Sequence, residues 1–314
     1  MTDIQHRQID SNGISMHVAE AGDGPLVVLC HGFPELWYSW RHQIPAIADA
    51  GYRVVAPDMR GYGRTDQPPE VTDYDMPHLV GDVAGILDHY GSEQAVVVGH
   101  DWGAAVVWGF AIAHPERCSA VINLSVPYRP RGPRRPMEAI KELVGDGFFY
   151  QLYFQPVGPA DEELAGDVRT SLRRMAYSWS GDGFPHAMKQ KPAAGTGLLD
   201  TISDPPEPPD WITDDEFGVY VDEFTRTGFT GGLNWYRNID RNWELSEPDQ
   251  KVTPPTLFVA GERDGVLAFI PPDAMDVWVT DLRAKVIVPE EGHWVQQEAP
   301  QAVNDAIVSF LREV

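Results

Sequence analysis

One aspartate stands at a position where its carboxylate could act as a nucleophile. A run of three valines at residues 96–98 leads into Gly99-His100-Asp101-Trp102-Gly103, and an apolar helical pattern follows at once. The two glycines predict a tight turn between a strand and a helix, at which Asp101 adopts a strained backbone and projects its side chain above the end of the strand. The helix N-terminus would favour the ionised carboxylate. An ordinary turn in which the aspartate only caps the helix is the alternative that this motif leaves open.

Two more polar residues follow later strands and would complete a catalytic set. Asp264 comes after the apolar run 255–260, and His293 comes after the last strand pattern, 284–288. Nucleophile, acid and histidine occur in the chain order of an α/β-hydrolase triad. Because the carboxyl ends of parallel strands meet at one edge of a sheet, we expect the three side chains to lie close together. A lone histidine could be a surface or core residue, and Asp264 could simply pair with Arg263, but three members at three strand ends favour the triad.

The order of the elements predicts an α/β fold with a mostly parallel, doubly wound sheet. Strand patterns occupy residues 6–30, with a hairpin turn at Asn12-Gly13, then 53–56, the run before Asp101, 120–125, 255–260 and 284–288. Helical patterns occupy residues 37–50 and 76–90, the stretch after Asp101, and residues 300–312. Between residues 128 and 248 only helical patterns rich in aromatic residues occur, at 148–153, 172–179, 217–224 and 233–243. We therefore predict a core of residues 1–127 and 249–314, with a helical cap inserted at residues 128–248.

The composition narrows the range of partners. The chain has 314 residues, a formal net charge of −23 at pH 7 and only two cysteines, Cys30 and Cys118. The negative charge opposes binding to nucleic acids and to anionic membranes. Two cysteines provide neither a disulfide framework nor a metal cluster, and no apolar run is long enough to span a membrane. We expect a soluble, cytoplasmic protein that binds a small molecule and needs no metal or cofactor; the sequence leaves a homodimer open.

Five segments carry a resemblance to a known family. They are His31-Gly32-Phe33-Pro34-Glu35, Gly99-His100-Asp101-Trp102-Gly103, Tyr150-Gln151-Leu152-Tyr153-Phe154-Gln155, Gly232-Leu233-Asn234-Trp235-Tyr236-Arg237-Asn238 and Gly292-His293-Trp294. With these segments the chain resembles, over almost its whole length, the epoxide hydrolases of the α/β-hydrolase fold, in the bacterial-type form without an N-terminal phosphatase domain. The first, second and last segments are shared with dehalogenases of the same fold. The two tyrosine segments are more specific, because this family places one lid tyrosine in each.

The resemblance implies a hydrolase that converts an epoxide into a vicinal diol. A carboxylate can displace the epoxide oxygen directly, so Asp101 would form an ester, and a water molecule activated by His293 would then split that ester. Asp264 would orient the imidazole of His293. Tyr153 and Tyr236 are expected to be the lid acids that donate hydrogen bonds and a proton to the epoxide oxygen. A serine nucleophile would instead leave an ether, which water cleaves poorly.

The same resemblance assigns the surroundings of the nucleophile. The backbone N–H groups of Phe33 and Trp102 are expected to hold the oxyanion of the hydrolytic step. The side chains of Phe33, Trp102 and Trp235 are expected to line an apolar substrate pocket. The peptide bond between Phe33 and Pro34 is expected to be cis.

Two other functions remain as alternatives at this point. A haloalkane dehalogenase uses the same nucleophile, but it needs donors for the departing halide, and Phe33 has no side-chain donor. The two lid tyrosines would also have no role in that reaction. A binding protein that retained a hydrolase fold would not need a complete triad together with a pair of acids. The sequence therefore favours the epoxide hydrolase.

Overall fold

The computed structural model of the chain describes residues 3–187 and 197–314, in which eight strands alternate with helices. The strands are β1 (Gln5–Ser11), β2 (Ile14–Ala21), β3 (Leu26–Cys30), β4 (Arg53–Pro57), β5 (Ala95–His100), β6 (Cys118–Leu124), β7 (Thr256–Gly261) and β8 (Leu282–Val288). The helices of the first half are α1 (Gln43–Asp49), α2 (Met76–His89), α3 (Trp102–Ala113), α4 (Pro136–Val144), α5 (Tyr150–Tyr153), α6 (Pro159–Gly166) and α7 (Val168–Ser178). Those of the second half are α8 (Phe184–Ala187), α9 (Asp214–Thr227), α10 (Thr230–Arg237), α11 (Ile239–Leu245), α12 (Val266–Phe269), α13 (Met275–Trp278), α14 (Val295–Glu298) and α15 (Pro300–Leu311).

All eight strands belong to one sheet, in the order β1-β2-β4-β3-β5-β6-β7-β8. The hairpin strands β1 and β2 pair antiparallel with each other, and β2 pairs antiparallel with β4. Every pair from β4 through β3 to β8 is parallel. The carboxyl ends of β3, β5, β7 and β8 therefore meet at one edge of the sheet. This confirms the predicted α/β-hydrolase architecture of a mostly parallel, doubly wound sheet.

Both faces of the sheet are covered, which explains why its central strands are continuous apolar runs. In β3, Val27 and Leu29 pack in the layer that contains α1 and α15, whereas Val28 and Cys30 face the layer that contains α2 and α3. Alternate residues of a strand point to opposite faces, so this short run supplies both layers. Cys30 and Cys118 are buried free thiols.

Two helices that the sequence predicts as continuous are each divided. Residues 37–50 form a 3₁₀ turn at Trp37–Trp40 and then α1. Pro45 lies in the first turn of α1, and its missing N–H would interrupt a longer helix there. Residues 233–243 divide at Asn238, whose backbone N–H bonds to the Trp235 carbonyl and so closes α10 with a bond to the third residue before it.

Between β6 and β7 the described residues are mainly helical. In the described residues of 128–248, here called the cap segment, α4 to α11 occur and no strand does. The cap segment rests on the edge of the sheet where the strands end: the Trp235 indole N–H donates to the Arg60 carbonyl, and Arg41 forms an ion pair with Glu216. In the part of the chain that the structure describes, none of the helices combines the length and apolar character needed to cross a bilayer.

Candidate active site

Asp101 lies in the strained turn that the sequence predicts. β5 ends at His100, α3 begins directly after Asp101, and the aspartate has φ 52° and ψ −117°, a region that non-glycine residues rarely adopt. A Cβ on Gly99 would lie 2.3 Å from the Gly103 carbonyl oxygen, and a Cβ on Gly103 would lie 2.0 Å from the Cys30 carbonyl oxygen. Both glycines are therefore required for the helix to approach the strands this closely, and the turn presents the carboxylate at the sheet edge.

The two oxygens of the Asp101 carboxylate have different neighbours. Oδ1 accepts a hydrogen bond of 2.8 Å from the Phe33 backbone N–H, and Oδ2 lies 3.5 Å from Nε2 of His293. The peptide bond Phe33–Pro34 is cis, as expected from the family pattern. Among the described residues, no hydrogen bond joins the Trp102 N–H to this carboxylate, so its part in an oxyanion hole stays a prediction.

The structure brings the three predicted triad residues together. Nδ1 of His293 lies 3.2 Å and 3.1 Å from the two oxygens of Asp264, whose carboxylate also accepts the Val266 N–H at 2.9 Å. Burial opposes protonation of His293, but the charges of Asp264 and Asp101 and its hydrogen bonds to them hold the pKa of His293 well above 6.5. Burial likewise raises the pKa of Asp264, and the charge of His293 outweighs it and lowers that pKa. The imidazole of His293 therefore lies between two carboxyl groups that both favour its protonated form.

A second buried pair, His100 and Glu35, was not assigned by the sequence analysis and contacts the main chain of His293. Nδ1 of His100 lies 2.7 Å from Glu35, and its Nε2 lies 2.7 Å from the His293 carbonyl oxygen. Glu35 also accepts the Gly32 N–H at 2.9 Å. Burial raises the pKa of Glu35, but the charge and hydrogen bond of His100 bring it down to about 2. Both ring nitrogens of His100 therefore face oxygen atoms, one of Glu35 and one of the His293 main chain.

Tyr236 is the cap tyrosine that lies where the sequence predicts it. Its ring packs edge-on against Phe33 and Trp102, with centroid distances of 5.5 Å and 5.1 Å. Burial, followed by the charge of Asp101, raises the pKa of Tyr236 well above 10. The Tyr236 hydroxyl therefore stays protonated, and the charge of the Asp101 carboxylate acts on it.

The second cap tyrosine at the site is Tyr150, which corrects the prediction for Tyr153. Burial and then the charges of Asp101 and Asp264 raise the pKa of Tyr150, and its ring lies 5.9 Å from that of Tyr236. Tyr153 points elsewhere in the cap segment: burial and then the charge and hydrogen bond of Glu163 raise its pKa to about 12. The two tyrosines are three residues apart in the single turn α5, where such residues occupy nearly the same face. Helical spacing therefore could not choose between them.

The predicted pocket walls have two different environments. Phe33 and Trp102 both contact the ring of Tyr236. Trp235 is fully buried, and its ring packs against Trp102 at 6.1 Å and against Tyr62 at 5.6 Å. Trp235 thus packs against Trp102. A direct contact between Trp235 and substrate stays a prediction. In the described residues, no group of three or more His, Cys, Asp or Glu side chains is arranged to hold a metal ion.

Comparisons with known proteins agree with this geometry. The profile of the α/β-hydrolase fold matches residues 25–300. The chain is 47% identical over 310 residues to epoxide hydrolase A of Mycobacterium tuberculosis, covering 97% of this chain and 96% of that protein. It is 39% identical to epoxide hydrolase 3 of Siraitia grosvenorii, with both proteins covered completely. The crystal structure of epoxide hydrolase A from Mycobacterium thermoresistibile is similar with a TM-score of 0.95 at 50% identity, covering 99% of this chain and 98% of that one. The chain therefore belongs to the epoxide hydrolases of the α/β-hydrolase fold.

Proposed function

We propose that this chain adds water to an epoxide to give a vicinal diol, through a covalent ester on Asp101. The observation that carries the proposal is the placement of one carboxylate between two kinds of partner. In the cap segment the rings of Tyr150 and Tyr236 lie 5.9 Å apart and the charge of this carboxylate raises the pKa of both, and Nε2 of His293 lies 3.5 Å from its Oδ2 on the core side. Residues 128–248 act in this proposal as a lid that supplies the acids.

In the first step, an oxygen of Asp101 attacks an epoxide carbon. The C–O bond of the ring breaks, its electron pair goes to the epoxide oxygen, and that oxygen takes a proton from a tyrosine hydroxyl. The attack needs no base because the nucleophile is already a carboxylate. Oδ2 is the oxygen suited to attack, since Oδ1 is held by the Phe33 N–H and is placed to become the ester carbonyl oxygen.

The contacts of the two tyrosines leave their protons available. The hydroxyl oxygen of Tyr150 accepts a bond of 3.1 Å from Nε2 of Gln151. Within the described parts of the chain, neither hydroxyl has an acceptor for its own proton. A positioned general acid contributes typically ~10²–10⁴-fold to a rate. Both protons are thus free to meet the developing alkoxide.

In the second step, water splits the ester and His293 takes its proton. Formation of the ester removes the charge of Asp101, one of the two carboxylate charges that hold the proton on His293. The imidazole can then release its proton, which restores the tyrosine that lost one in ring opening, and act as a base oriented by Asp264. The Phe33 N–H would stabilise the oxyanion. Ring opening consumes one proton and ester hydrolysis returns one, so the cycle balances.

The dehalogenase alternative is disfavoured by the shortage of halide donors beside the nucleophile. A departing halide needs such donors, but the Trp102 ring packs edge-on against Tyr236, and Phe33 offers no side-chain donor. A non-catalytic binding protein would have no need of the hydrogen-bonded triad. Every group in the proposed reaction comes from one chain, so a homodimer and a cytoplasmic location stay separate predictions, which size-exclusion chromatography and cell fractionation test.

The proposal is tested by incubating the protein with an aryl epoxide and, in parallel, with a chloroalkane. We expect diol from the epoxide and no halide from the chloroalkane. Asp101→Asn serves as the control for spontaneous hydrolysis. Halide release without diol would support the dehalogenase, and neither product across terminal, disubstituted and fatty-acid epoxides would contradict the proposed activity.

A further inference from the structure

Glu298, the last residue of α14, holds the main chain on both sides of the catalytic histidine. Its Oε1 accepts the Trp294 N–H at 2.9 Å, and its Oε2 accepts the Gly292 N–H at 3.1 Å. The same Oε2 accepts a third N–H, that of Gly181 in the cap segment, at 2.7 Å. One carboxylate therefore joins the two neighbours of His293 to a residue more than a hundred positions earlier in the chain.

The cap segment lies directly on this loop around Glu298. The His293 backbone N–H donates to the Trp179 carbonyl at 2.9 Å, and the Trp294 indole N–H donates to the Ala176 carbonyl at 2.8 Å. A Cβ on Gly292 would lie 2.3 Å from the backbone nitrogen of Gly181, so the two main chains touch. The main chain that carries the base is therefore fixed against the segment that follows α7.

We propose that Glu298 is a positioning residue for the hydrolytic step: its carboxylate fixes the backbone that carries His293 to the cap segment and so sets the position of the base relative to the Asp101 ester. The inference rests on the proposed function, because only a two-step reaction separates the work of His293 from that of Asp101. Glu298 itself is not in contact with Asp101 and takes no part in bond making.

The charge state of Glu298 makes its three hydrogen bonds to backbone N–H groups sensitive to pH. Burial raises the pKa of Glu298 to about 7, the charge of Glu291 adds to that effect, and the three N–H donors oppose it. The pKa of Glu291 is itself raised by burial and by the charges of Asp182 and Glu290, and the charge of Arg263 lowers it. A protonated Glu298 is a weaker acceptor for three donors. The three hydrogen bonds to Glu298 are accordingly strongest above pH 7 and weaken as the pH falls below 7.

The two half-reactions respond differently to a loosened histidine. Attack by Asp101 needs no base, so the rate of ester formation should be preserved. Hydrolysis needs the imidazole in place, and a small misplacement of a reacting group can cost ~10²-fold. When only hydrolysis slows and limits turnover, kcat and KM fall together and kcat/KM is unchanged. A protein that merely unfolds in part would instead lose kcat at constant KM.

The test compares Glu298→Gln with Glu298→Asp and with a matched control, Glu262→Gln. Glu262 is also a carboxylate that accepts a backbone N–H of the same loop, that of Glu290 at 3.1 Å, but it is exposed and does not flank His293. The amide of Glu298→Gln cannot accept three N–H bonds without turning a donor towards one of them. The rate constants of ester formation and ester hydrolysis are followed by rapid quench and intact-protein mass with an aryl epoxide.

We expect ester hydrolysis in Glu298→Gln to be ~10–100-fold slower, with ester formation within about 2-fold of wild type. Glu298→Asp should recover part of the rate, and Glu262→Gln should match wild type. The hydrolysis profile of the wild type should contain an ionisation near pH 7 beside that of His293, and only the ionisation near pH 7 should be absent from Glu298→Gln. Unchanged hydrolysis in Glu298→Gln, or equal losses in both half-reactions, would overturn the inference.

The results distinguish a failure of this inference from a failure of the proposed function. If Glu298→Gln does not fold, as judged by its melting curve, Glu298→Asp and the pH profile of the wild type decide in its place. An aspartate variant with wild-type hydrolysis, together with a wild-type profile that shows no ionisation besides that of His293, would then overturn the inference. Failure of the wild type itself to form diol contradicts the proposed function, which is a different result from a wild-type rate in the Glu298 variants.

Discussion

The core side and the cap side of the site are held in place by different means. On the core side, main-chain geometry fixes the groups: Asp101 sits in a strained turn and accepts the Phe33 N–H, and the backbone of His293 is hydrogen-bonded to Trp179 and flanked by the bonds of Glu298. On the cap side, Tyr236 is held mainly by edge-on packing of aromatic rings. The comparison supports the proposed division of labour, in which the core would make and break the covalent bond and the cap would donate protons.

The largest expected effect comes from removing the nucleophile on the core side. Asp101→Asn replaces a carboxylate with an amide that attacks carbon poorly, so turnover should fall by at least ~10⁴-fold. Freshly purified protein must be used, and its mass checked, because deamidation would restore the aspartate. Normal steady-state turnover from an undeamidated sample would remove Asp101 from the mechanism.

The cap side is tested by comparing three tyrosines. Tyr150→Phe and Tyr236→Phe should each slow ester formation by ~10–100-fold, because the remaining hydroxyl still faces the alkoxide. The double variant should be slower than the product of the two single effects, since no donor then remains. Tyr153→Phe is the matched control, because Glu163 of the cap segment and not Asp101 acts on the pKa of its hydroxyl, and it should stay within about 2-fold of wild type. A larger loss in Tyr153→Phe than in Tyr150→Phe would reverse the correction made above.

A smaller effect is expected from the acid of the triad. Asp264→Asn keeps the imidazole of His293 but removes the carboxylate charge of Asp264. That charge orients the imidazole and raises its pKa, so ester hydrolysis should fall by about 10²-fold. The pH at which His293 loses its proton should move down in the same variant, and rapid-quench hydrolysis rates across pH measure both changes. An unchanged pH profile would show that Asp264 does not act on His293.

The smallest effect concerns the ion pair that joins core and cap. Burial raises the pKa of Glu216, but hydrogen bonds from the Thr213 N–H and from Arg41 bring it from 4.5 down to about 2. The pair therefore stabilises the fold above pH 4.5, and this contribution is lost as the pH falls towards 2. Glu216→Gln retains a side chain able to close the capping box, so the melting temperature should drop by only about 1–4 °C at neutral pH. The difference should shrink in acid; a difference that grows instead would mean that the pair does not act through charge.

The same contrast explains how much could be predicted from the sequence. Asp101, Asp264 and His293 were predictable because each follows a recognisable strand and the carboxyl ends of parallel strands converge. Tyr150 was missed because two tyrosines in one helical turn differ only in tertiary packing. The contacts of Glu35 with His100, and of Glu298 with Gly181, join residues far apart in sequence, and no local pattern indicates them. Helices α4 and α6 were missed as well, since both lie outside the aromatic-rich patterns.

The central claim is that Asp101 forms the covalent bond without help from His293, and one variant tests it directly. His293→Gln should still be alkylated but should hydrolyse its ester very slowly. Mixing it with excess epoxide should give about one equivalent of bound substrate and almost no diol, with the added mass on the peptide that contains Asp101. A folded His293→Gln protein that neither gains mass nor forms diol would show that the histidine acts before the ester, and would contradict the two-step account.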